Sequence, residues 1–166
     1  MFFDAVENTF KILEEKGITR EFLYGNAEQK DGFNIPFDKL FEKLGITVKF
    51  EENLQDDNGK TISGKSDYEN NTIYINKSEC SQRKRFTLGH ELYHVLNNQN
   101  ENRDKNTDKD PQEICANAFA AKFLMPKDVL EKKFKEFNQS VWMTADYFKV
   151  SWEAMGYRLV NCGLSR

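Results

Sequence analysis

"RFTLGHELYH" (residues 85–94) contains both histidines of this chain, His90 and His94, with Glu91 directly after the first. On a helix, residues four apart project from one face with their Cβ atoms about 5–6 Å apart, so two imidazoles in this arrangement can bind one tetrahedral Zn²⁺. Glu91 lies about 100° round the helix from His90, where it can reach a water on the metal without joining the ligand set. This is the His-Glu-x-x-His arrangement of zinc hydrolases. The alternative is a histidine pair on a polar face or in the core.

A catalytic zinc site also needs a third protein ligand, and with both histidines used it has to be a cysteine or a carboxylate. Glu113 is the best candidate, since it stands at the start of a predicted helix after a polar segment. Glu113 also has an alternative role. Asp110 and Glu113 have capping-box spacing, so the Glu113 side chain could instead accept a hydrogen bond from the backbone N–H of its own helix cap. Cys115 is the rival ligand, but it points roughly 200° away from Glu113 on the helix.

The helix face that carries Glu113 consists mostly of small residues. At three- and four-residue spacing, Glu113 is followed by Ala116, Asn117, Ala120, Ala121 and Leu124. Small side chains let this helix approach another closely, and Gly89 beside His90 favours the same contact. We expect Asn117 to accept a hydrogen bond from a ligating imidazole and so fix its orientation.

Outside these motifs, hydrophobic periodicity predicts an α+β fold in which helices surround one small sheet. The predicted strands are "ITVKF" (46–50), "KTISG" (60–64) and "NTIYIN" (71–76), with turns at Asn58-Gly59 and Asn70-Asn71, in a sheet that is antiparallel at least in part. Helices are predicted from the N-terminus to Gly17, from Pro36 to Leu44, from a Ser81 cap to Asn97, from Pro111 (capped by Asp110) to Leu124, from Pro126 onward, and twice more near the C-terminus. Residues 97–110 ("NNQNENRDKNTDKD") have no apolar side chain and predict a solvated loop.

The composition favours a single cytoplasmic domain over residues 1–166. A 39% hydrophobic content with 14 Phe can fill a core, and the net charge of −3 gives no chain-wide field for nucleic acid. The N-terminal segment has acidic residues inside its apolar part, unlike a signal peptide, and no apolar run approaches the roughly 20 residues that span a membrane. Three scattered cysteines, Cys80, Cys115 and Cys162, argue against a disulfide framework and are expected to be buried thiols.

Two long motifs in the same order resemble the ImmA/IrrE family of metallo-endopeptidases. "RFTLGHELYH" is similar to that family's Arg-Phe-Thr-Leu-x-His-Glu-x-x-His helix, and "EICANAFAAKFLMP" (113–126) is similar to its downstream helix. The segments "ISG" (62–64), "IYIN" (73–76) and "FKVSWEAMGYRL" (148–159) also look like the family's flanking segments. The resemblance therefore covers about residues 46–164.

This resemblance implies a zincin-like core over residues 46–164, preceded by a helical part over residues 1–45. It implies that His90, His94 and Glu113 bind Zn²⁺ and that Glu91 is the catalytic carboxylate. Tyr93 stands where glycine is usual in the family, and it is expected to narrow the space beside the metal. The chain resembles the short members found with mobile genetic elements. That likeness implies a protein substrate, a helix–turn–helix repressor of a phage or other mobile element.

Three other features have simpler interpretations. "TADYFKVSWEAMGYRLVN" (144–161) has a helix–turn–helix rhythm, but its second helix offers only Arg158 as a cation, so a packed helix pair is favoured over DNA binding. "RKR" (83–85) is interpreted as a solvated face with a structural partner for Arg85. Three tyrosines are candidate oxyanion donors, but a packing role is favoured; they are Tyr68, Tyr74 and Tyr157.

Two functions of different classes remain. The first is a site-specific zinc endopeptidase that inactivates a repressor; the second is a regulator that binds a repressor or DNA without hydrolysis and keeps a structural metal. Glu91 favours the first, because a structural site needs closed coordination and no proton-transfer group. We expect Glu91 to take a proton from the attacking water and return it to the leaving amine. The substrate peptide is expected along an exposed sheet edge, either "KTISGK" or "NTIYIN".

Overall fold

The computed structural model describes residues 2–99 and 110–166. Within these ranges the chain forms eight α-helices, a three-stranded sheet and a two-stranded hairpin, so the predicted α+β class is confirmed. The helices are α1 (Phe2–Glu15), α2 (Arg20–Tyr24), α3 (Phe37–Leu44), α4 (Ser81–Leu96), α5 (Pro111–Leu124), α6 (Lys127–Glu136), α7 (Val141–Phe148) and α8 (Trp152–Asn161). The strands are β1 (Glu28–Gln29), β2 (Gly32–Phe33), β3 (Thr47–Glu51), β4 (Gly64–Asp67) and β5 (Thr72–Asn76). None of these helices is long and apolar enough to cross a membrane.

The three-stranded sheet is mixed, with β5 between β3 and β4. β5 pairs parallel with β3 and antiparallel with β4, and its Ile73 and Ile75 side chains are fully buried in the core. The predicted turn chemistry is confirmed, since Gly59 and Asn71 have positive φ angles of 78° and 46°. "NTIYIN" is the central strand rather than an edge, which corrects the expectation that it could receive a peptide. β4 is an edge strand, and it packs against α4.

The strand predicted at residues 60–64 lies at Gly64–Asp67 instead. The strand begins where pairing with β5 begins, and that first pair is Gly64 with Ile75. Residues 60–62 form hydrogen bonds with residues 54–56 of the same connection and so are not part of the sheet. The β-branched residues of "KTISG" suggested a strand, but backbone pairing, which local composition does not report, sets its position.

α4 and α5 cross at short distance, as the small residues on both helices predict. A Cβ added to Gly89 of α4 would lie 3.1 Å from the Ala120 Cβ and 3.2 Å from the Ala120 Cα of α5. Contacts this close leave no room for a larger side chain at either position without a shift of the backbone. The crossing therefore fixes α5 near Ala120 against the middle of α4.

The start of α5 was predicted correctly, whereas the cap of α4 was not. α5 begins as expected, with the Asp110 side chain accepting a hydrogen bond from Gln112 N and Pro111 in the first turn. α4 begins after Cys80, whose backbone is extended and whose side chain makes no capping hydrogen bond. The prediction of Ser81 as the cap was wrong by one residue, because Ser81 already lies in the helix.

Residues 1–45 were expected to form a helical part, but they also contain a short hairpin. Between α2 and α3 the chain forms a hairpin in which Glu28 pairs with Phe33 and Gln29 with Gly32. Strands of two residues are too short to show an alternating pattern, so sequence periodicity could not reveal them. A Cβ at Gly32 would lie 2.6 Å from Tyr147 O, which shows how closely the hairpin meets α7. α1 packs against α5, and the residues of both parts share one hydrophobic core.

Candidate metal centre

Two successive turns of α4 carry His90 and His94 to the same side of the helix. Their Nε2 atoms lie 3.2 Å apart and their ring centroids 4.9 Å apart. The His94 side chain is only 4% exposed, whereas that of His90 is 14% exposed. The two ring nitrogens therefore converge on one point, which is more open to solvent on the His90 side.

The third member of this cluster is Glu113, in the first turn of α5. Its Oε2 lies 2.9 Å from His90 Nε2, and its Oε1 lies 2.9 Å from His94 Nε2. The close crossing of α4 and α5 brings this carboxylate to the two imidazoles. Its position argues against the capping-box alternative, in which it would turn back to Asp110. Among the described residues, these three form the one group of His, Cys, Asp and Glu side chains that could hold a metal ion.

The spacing of the four candidate ligand atoms, which are two imidazole nitrogens and the two oxygens of Glu113, fits a small divalent ion. A tetrahedral zinc site with bonds of about 2.0–2.1 Å separates its ligand atoms by roughly 3.3 Å. The observed separations of 2.9, 2.9 and 3.2 Å are close to that value. Two imidazoles and one carboxylate are three protein ligands, the number that a catalytic zinc site would use, and the Glu113 side chain is 25% exposed. The residues therefore fit a catalytic type of metal site.

The charge state of Glu113 suits the same interpretation. Burial by itself would raise the pKa of the Glu113 carboxyl, but the hydrogen bonds and charges of His90 and His94 outweigh burial and hold this pKa well below its usual range. The first turn of a helix also favours negative charge. Glu113 is therefore ionised, which is the form that binds a metal.

Each imidazole is held through its other nitrogen by a side-chain amide. His90 Nδ1 lies 2.7 Å from Asn117 Oδ1, and His94 Nδ1 lies 2.9 Å from Gln99 Oε1. Because an amide oxygen only accepts hydrogen bonds, this pairing places a proton on Nδ1 of each ring, and the neutral form of each ring would then offer its Nε2 lone pair to a metal. Sequence spacing pointed to Asn117, one turn beyond Glu113, but it did not point to Gln99.

Gln99 belongs to a hydrogen-bonded network around the cluster. Its Nε2 donates to Gln112 Oε1 at 2.6 Å, and the Tyr93 hydroxyl donates to the same oxygen at 3.3 Å. The Ser66 hydroxyl donates to Gln99 O at 3.3 Å, which links Gln99 to β4. Gln99 is only 8% exposed, so the prediction of a solvated loop was wrong at this end. Residues 100–109 of that loop lie outside the described residues.

Glu91 lies between α4 and the edge strand β4. Its side chain is 2% exposed, and a Cβ added to Gly64 would lie 3.4 Å from Glu91 Cγ. The same Cβ would lie 2.5 Å from Thr87 Cγ2 and 2.9 Å from Tyr74 O, so the start of β4 has no room for a side chain. Glycine at position 64 therefore allows the strand to lie directly against the helix that carries Glu91.

The cysteines lie apart from this cluster. Cys115 is 4% exposed in the core, and it is not a member of the ligand group. Cys162 is partly buried, and the three cysteines form no disulfide. Cys80 is exposed, which corrects the expectation of burial, because it caps α4 at the surface.

Tyr93 and Arg85 stabilise the surroundings of the cluster. Tyr93 is 2% exposed, and its ring contacts those of His94 and Phe119 at centroid distances of 5.7 and 5.9 Å. It therefore packs on the inner side of His94, and the expected narrowing of the open side does not follow. Arg85 has the structural partner that was expected, with its guanidinium 5.2 Å from the centroid of the Phe37 ring.

The tyrosines considered as oxyanion donors are all in packing or surface environments. The Lys49 and Lys65 ammonium groups lie over the Tyr74 ring, at 5.8 and 5.1 Å from its centroid. Tyr68 is partly buried against the core, and Tyr157 is 68% exposed on α8.

Comparison with protein families agrees with this geometry. The Peptidase_M78 family, described as the IrrE N-terminal-like domain, matches residues 41–160, which are 120 of the 166 residues. The chain therefore belongs to this family of metallopeptidases, and the resemblance drawn from the two motif helices is confirmed. Family membership supports a metallopeptidase-type function and implies a bound metal, for which His90, His94 and Glu113 are the available group.

Among solved structures, the chain is similar to a Mycobacterium tuberculosis transcriptional regulator. The TM-score is 0.60 and the sequence identity 15%, over 95% of this chain. At this identity the likeness concerns the fold, and it agrees with a zincin-like, IrrE-type arrangement. The chain spans 46% of the length of that regulator. No curated protein matches the sequence.

Proposed function

We propose that this chain is a zinc-dependent, site-specific endopeptidase. The observation that carries the proposal is the convergence of His90 Nε2, His94 Nε2 and the Glu113 carboxylate, 2.9–3.2 Å apart, on the helix pair that also carries the buried Glu91. In this proposal the two histidines and Glu113 hold the ion, and Glu91 transfers protons. Two imidazoles with one carboxylate are the ligand set of well-characterised zinc peptidases.

The proposed mechanism is metal-assisted hydrolysis of a peptide bond. When bound, the ion supplies Lewis-acid chemistry, since it acidifies a water molecule and withdraws electron density from the scissile carbonyl. Glu91 accepts a proton from the attacking water and then donates it to the nitrogen of the leaving amine. Because Glu91 is 2% exposed, bulk water has little access to this proton transfer.

Asn117 and Gln99 have positioning roles in this proposal. Each accepts the Nδ1 proton of one imidazole and so keeps the Nε2 atom of that ring on the side of Glu113. A ligand held in one tautomer and one ring orientation binds a metal without first having to reorganise. The cluster is therefore prepared for metal binding by side chains from two different segments of the chain.

We propose β4 as the strand along which the substrate peptide lies. Of the two segments expected for this role, "NTIYIN" is the central strand β5, and "KTISGK" (60–65) shares only Gly64 and Lys65 with the edge strand β4. An extended peptide that pairs with an edge strand gains main-chain hydrogen bonds, and its side chains alternate between the two faces. The contact of Gly64 with Glu91 means that a peptide on this edge would pass close to the proton-transfer group.

The proposed substrate is a helix–turn–helix repressor of a phage or other mobile element, encoded near this chain. The resemblance to the short ImmA/IrrE members supports this choice, and the M. tuberculosis protein of similar fold is described as a transcriptional regulator. Cleavage between the DNA-binding and dimerising parts of a repressor would remove its two-fold contacts with the operator. Operator affinity would then fall steeply.

Co-expression of this chain with the neighbouring repressor tests the proposal. The intact mass of the repressor should be replaced by fragments whose masses sum to that of the repressor plus one water for each bond cut. The Glu91→Gln variant, which keeps the ligand set, should leave the repressor whole. A repressor that stays whole but co-purifies with the wild-type chain would contradict hydrolysis and favour the non-hydrolytic regulator.

A further inference from the structure

The C-terminal helix pair exposes an aromatic surface that the proposed metal site does not use. Trp142 and Trp152 are 71% and 60% exposed, and their rings stack with centroids 6.2 Å apart. Met143 on α7 and Tyr157 and Val160 on α8 are also large apolar side chains with high exposure, at 53%, 68% and 51%. We call these five side chains the tryptophan face.

The area of the tryptophan face is sufficient for a specific contact. With about 150–250 Å² for each large aromatic side chain, the exposed parts of the five residues amount to on the order of 500 Å². Patches of this size on a soluble protein commonly mark interaction sites. Two such faces in contact would bury about 1,000 Å², which is the lower end of the range for specific interfaces.

Gly156 lies in the middle of the tryptophan face. Trp152, Gly156 and Val160 follow one another at four-residue intervals, so they lie on one line along α8. Glycine weakens the interior of a helix relative to alanine. The fold offers no reason for it here, because a Cβ at Gly156 would meet no atom of the described residues within 4 Å. A gap between two large side chains suits the close approach of a second helix from outside.

We propose that two copies of this chain associate through the tryptophan face, with their α8 helices antiparallel and crossing at Gly156. In this arrangement Trp152 of one copy packs against Val160 of the other, and the two main chains meet at the glycines. A two-fold interface requires a surface that is complementary to itself. The row on α8 meets that requirement, because Gly156 is at its centre and the larger Trp152 and Val160 lie four residues to either side.

The charge on α8 favours this partner over nucleic acid. Arg158 is the one cation in the sequence of α8, and its Nε and Nη2 atoms donate to Met125 O at 3.1 and 3.0 Å. Its guanidinium is therefore directed into the fold. Glu153 is exposed on the same helix and would repel phosphates. The rest of the α8 surface is mainly apolar. Because the proposed interface is small, we expect the dimer to be reversible.

Intrinsic fluorescence can test this proposal, because the tryptophan face contains both tryptophans of the chain. The full chain would be examined by sedimentation velocity and by emission spectra from submicromolar to several hundred micromolar concentration. We expect the emission to shift to shorter wavelength in step with a doubling of the sedimenting mass. A chain that remains monomeric with constant emission over this range would overturn the proposal.

Gly156→Ala separates association from folding. The methyl group improves the helix, so the monomer should unfold at the same or a higher temperature, but it prevents close crossing and should raise the dissociation constant at least tenfold. Trp152→Ser should also weaken association. Phe50→Ser is the matched control, since Phe50 is 52% exposed on β3, and it should leave association unchanged.

Two outcomes of these experiments would contradict the proposed arrangement. If Gly156→Ala associates as tightly as the wild type, α8 does not cross its copy at this residue. If the emission shifts only when the neighbouring repressor is added, and the chain alone stays monomeric, the face binds a different protein. Neither outcome bears on the proposed peptidase activity, because no residue of the tryptophan face belongs to the metal cluster.

Discussion

Gln99 Oε1 lies 2.9 Å from His94 Nδ1, so a residue just after α4 orients one of the two imidazoles on that helix. The amide is itself held in one orientation, since its Nε2 donates to Gln112 Oε1 at 2.6 Å. A flipped amide would place two oxygens against each other. Through these contacts Gln99 connects His94 to the first turn of α5, which carries Glu113.

Replacement of Gln99 by methionine should weaken metal binding. The methionine side chain is close in size but cannot accept the Nδ1 proton, so we expect about a 10- to 100-fold loss of zinc affinity. Competition with a chromophoric chelator measures the affinity. Long-range ¹H–¹⁵N spectra should show two imidazole spin systems, and that of His94 should change from one tautomer to a mixture.

Gln82→Met is the control for this substitution, because Gln82 is exposed in the first turn of α4. It should leave both the affinity and the imidazole spectra unchanged. If Gln99→Met behaves in the same way as this control, Gln99 does not orient His94.

Loss of Glu113 should remove the metal, whereas loss of Cys115 should not. The wild-type chain is expected to carry about one Zn²⁺, and Glu113→Ala leaves only two ligands. Cys115→Ala shortens a buried side chain and should lower stability modestly while keeping the ion. Metal analysis of the two purified variants decides between the ligands, and equal zinc contents would favour the capping role for Glu113.

Glu91→Gln should keep the metal and the fold but lose peptidase activity. The amide has nearly the same shape as the carboxylate, yet it cannot accept a proton from water. We expect a decrease in rate of about 100- to 10,000-fold. The comparison requires equal metal content in both proteins, measured before the assay. Unchanged cleavage by this variant would assign proton transfer to another group.

Gly64→Ala should destabilise the contact between β4 and α4. The added Cβ would lie 2.5 Å from Thr87 Cγ2 and 2.9 Å from Tyr74 O, so the strand or the helix has to move. We expect a loss of about 1–3 kcal/mol in the free energy of unfolding. Adding Thr87→Ser removes the closest atom and should restore part of the loss in chemical denaturation. An unchanged stability in the single variant would show that β4 can move away from Glu91 freely.

Specific duplex DNA binding by this chain should be absent. The sequence of α8 contains one cation, Arg158, and that residue is bonded to Met125 O. A gel-shift experiment at low salt, with DNA from the promoter region of the neighbouring repressor, is the measurement. A tight, sequence-dependent complex with the chain alone would refute this expectation.

Sequence patterns predicted the helices that carry the cluster because their signals are local. Helical spacing placed His90 and His94 on one face, and Asp110 and Pro111 marked the start of α5. The small residues Gly89 and Ala120 also correctly indicated a close crossing. These features depend only on neighbouring residues and on side-chain size.

Other features depend on contacts between distant segments, and the sequence did not reveal them. The start of β4 is set by its pairing with β5, and the β1–β2 hairpin is too short to show a pattern. Gln99 lies in a polar segment with the composition of a loop, and its role depends on its contacts with His94 and Gln112. For such residues no periodicity or motif carries the signal.

The most direct test of the central proposal uses purified proteins under single-turnover conditions. Wild-type chain and Glu91→Gln, both loaded with one zinc ion, would be mixed with the neighbouring repressor and followed by intact-mass spectrometry. We predict that the wild type converts the repressor to fragments cut at one or a few fixed bonds, that a chelator stops the reaction, and that Glu91→Gln leaves the repressor whole. A repressor that stays intact with the zinc-loaded wild type, or that is cut equally by both proteins, would contradict the account.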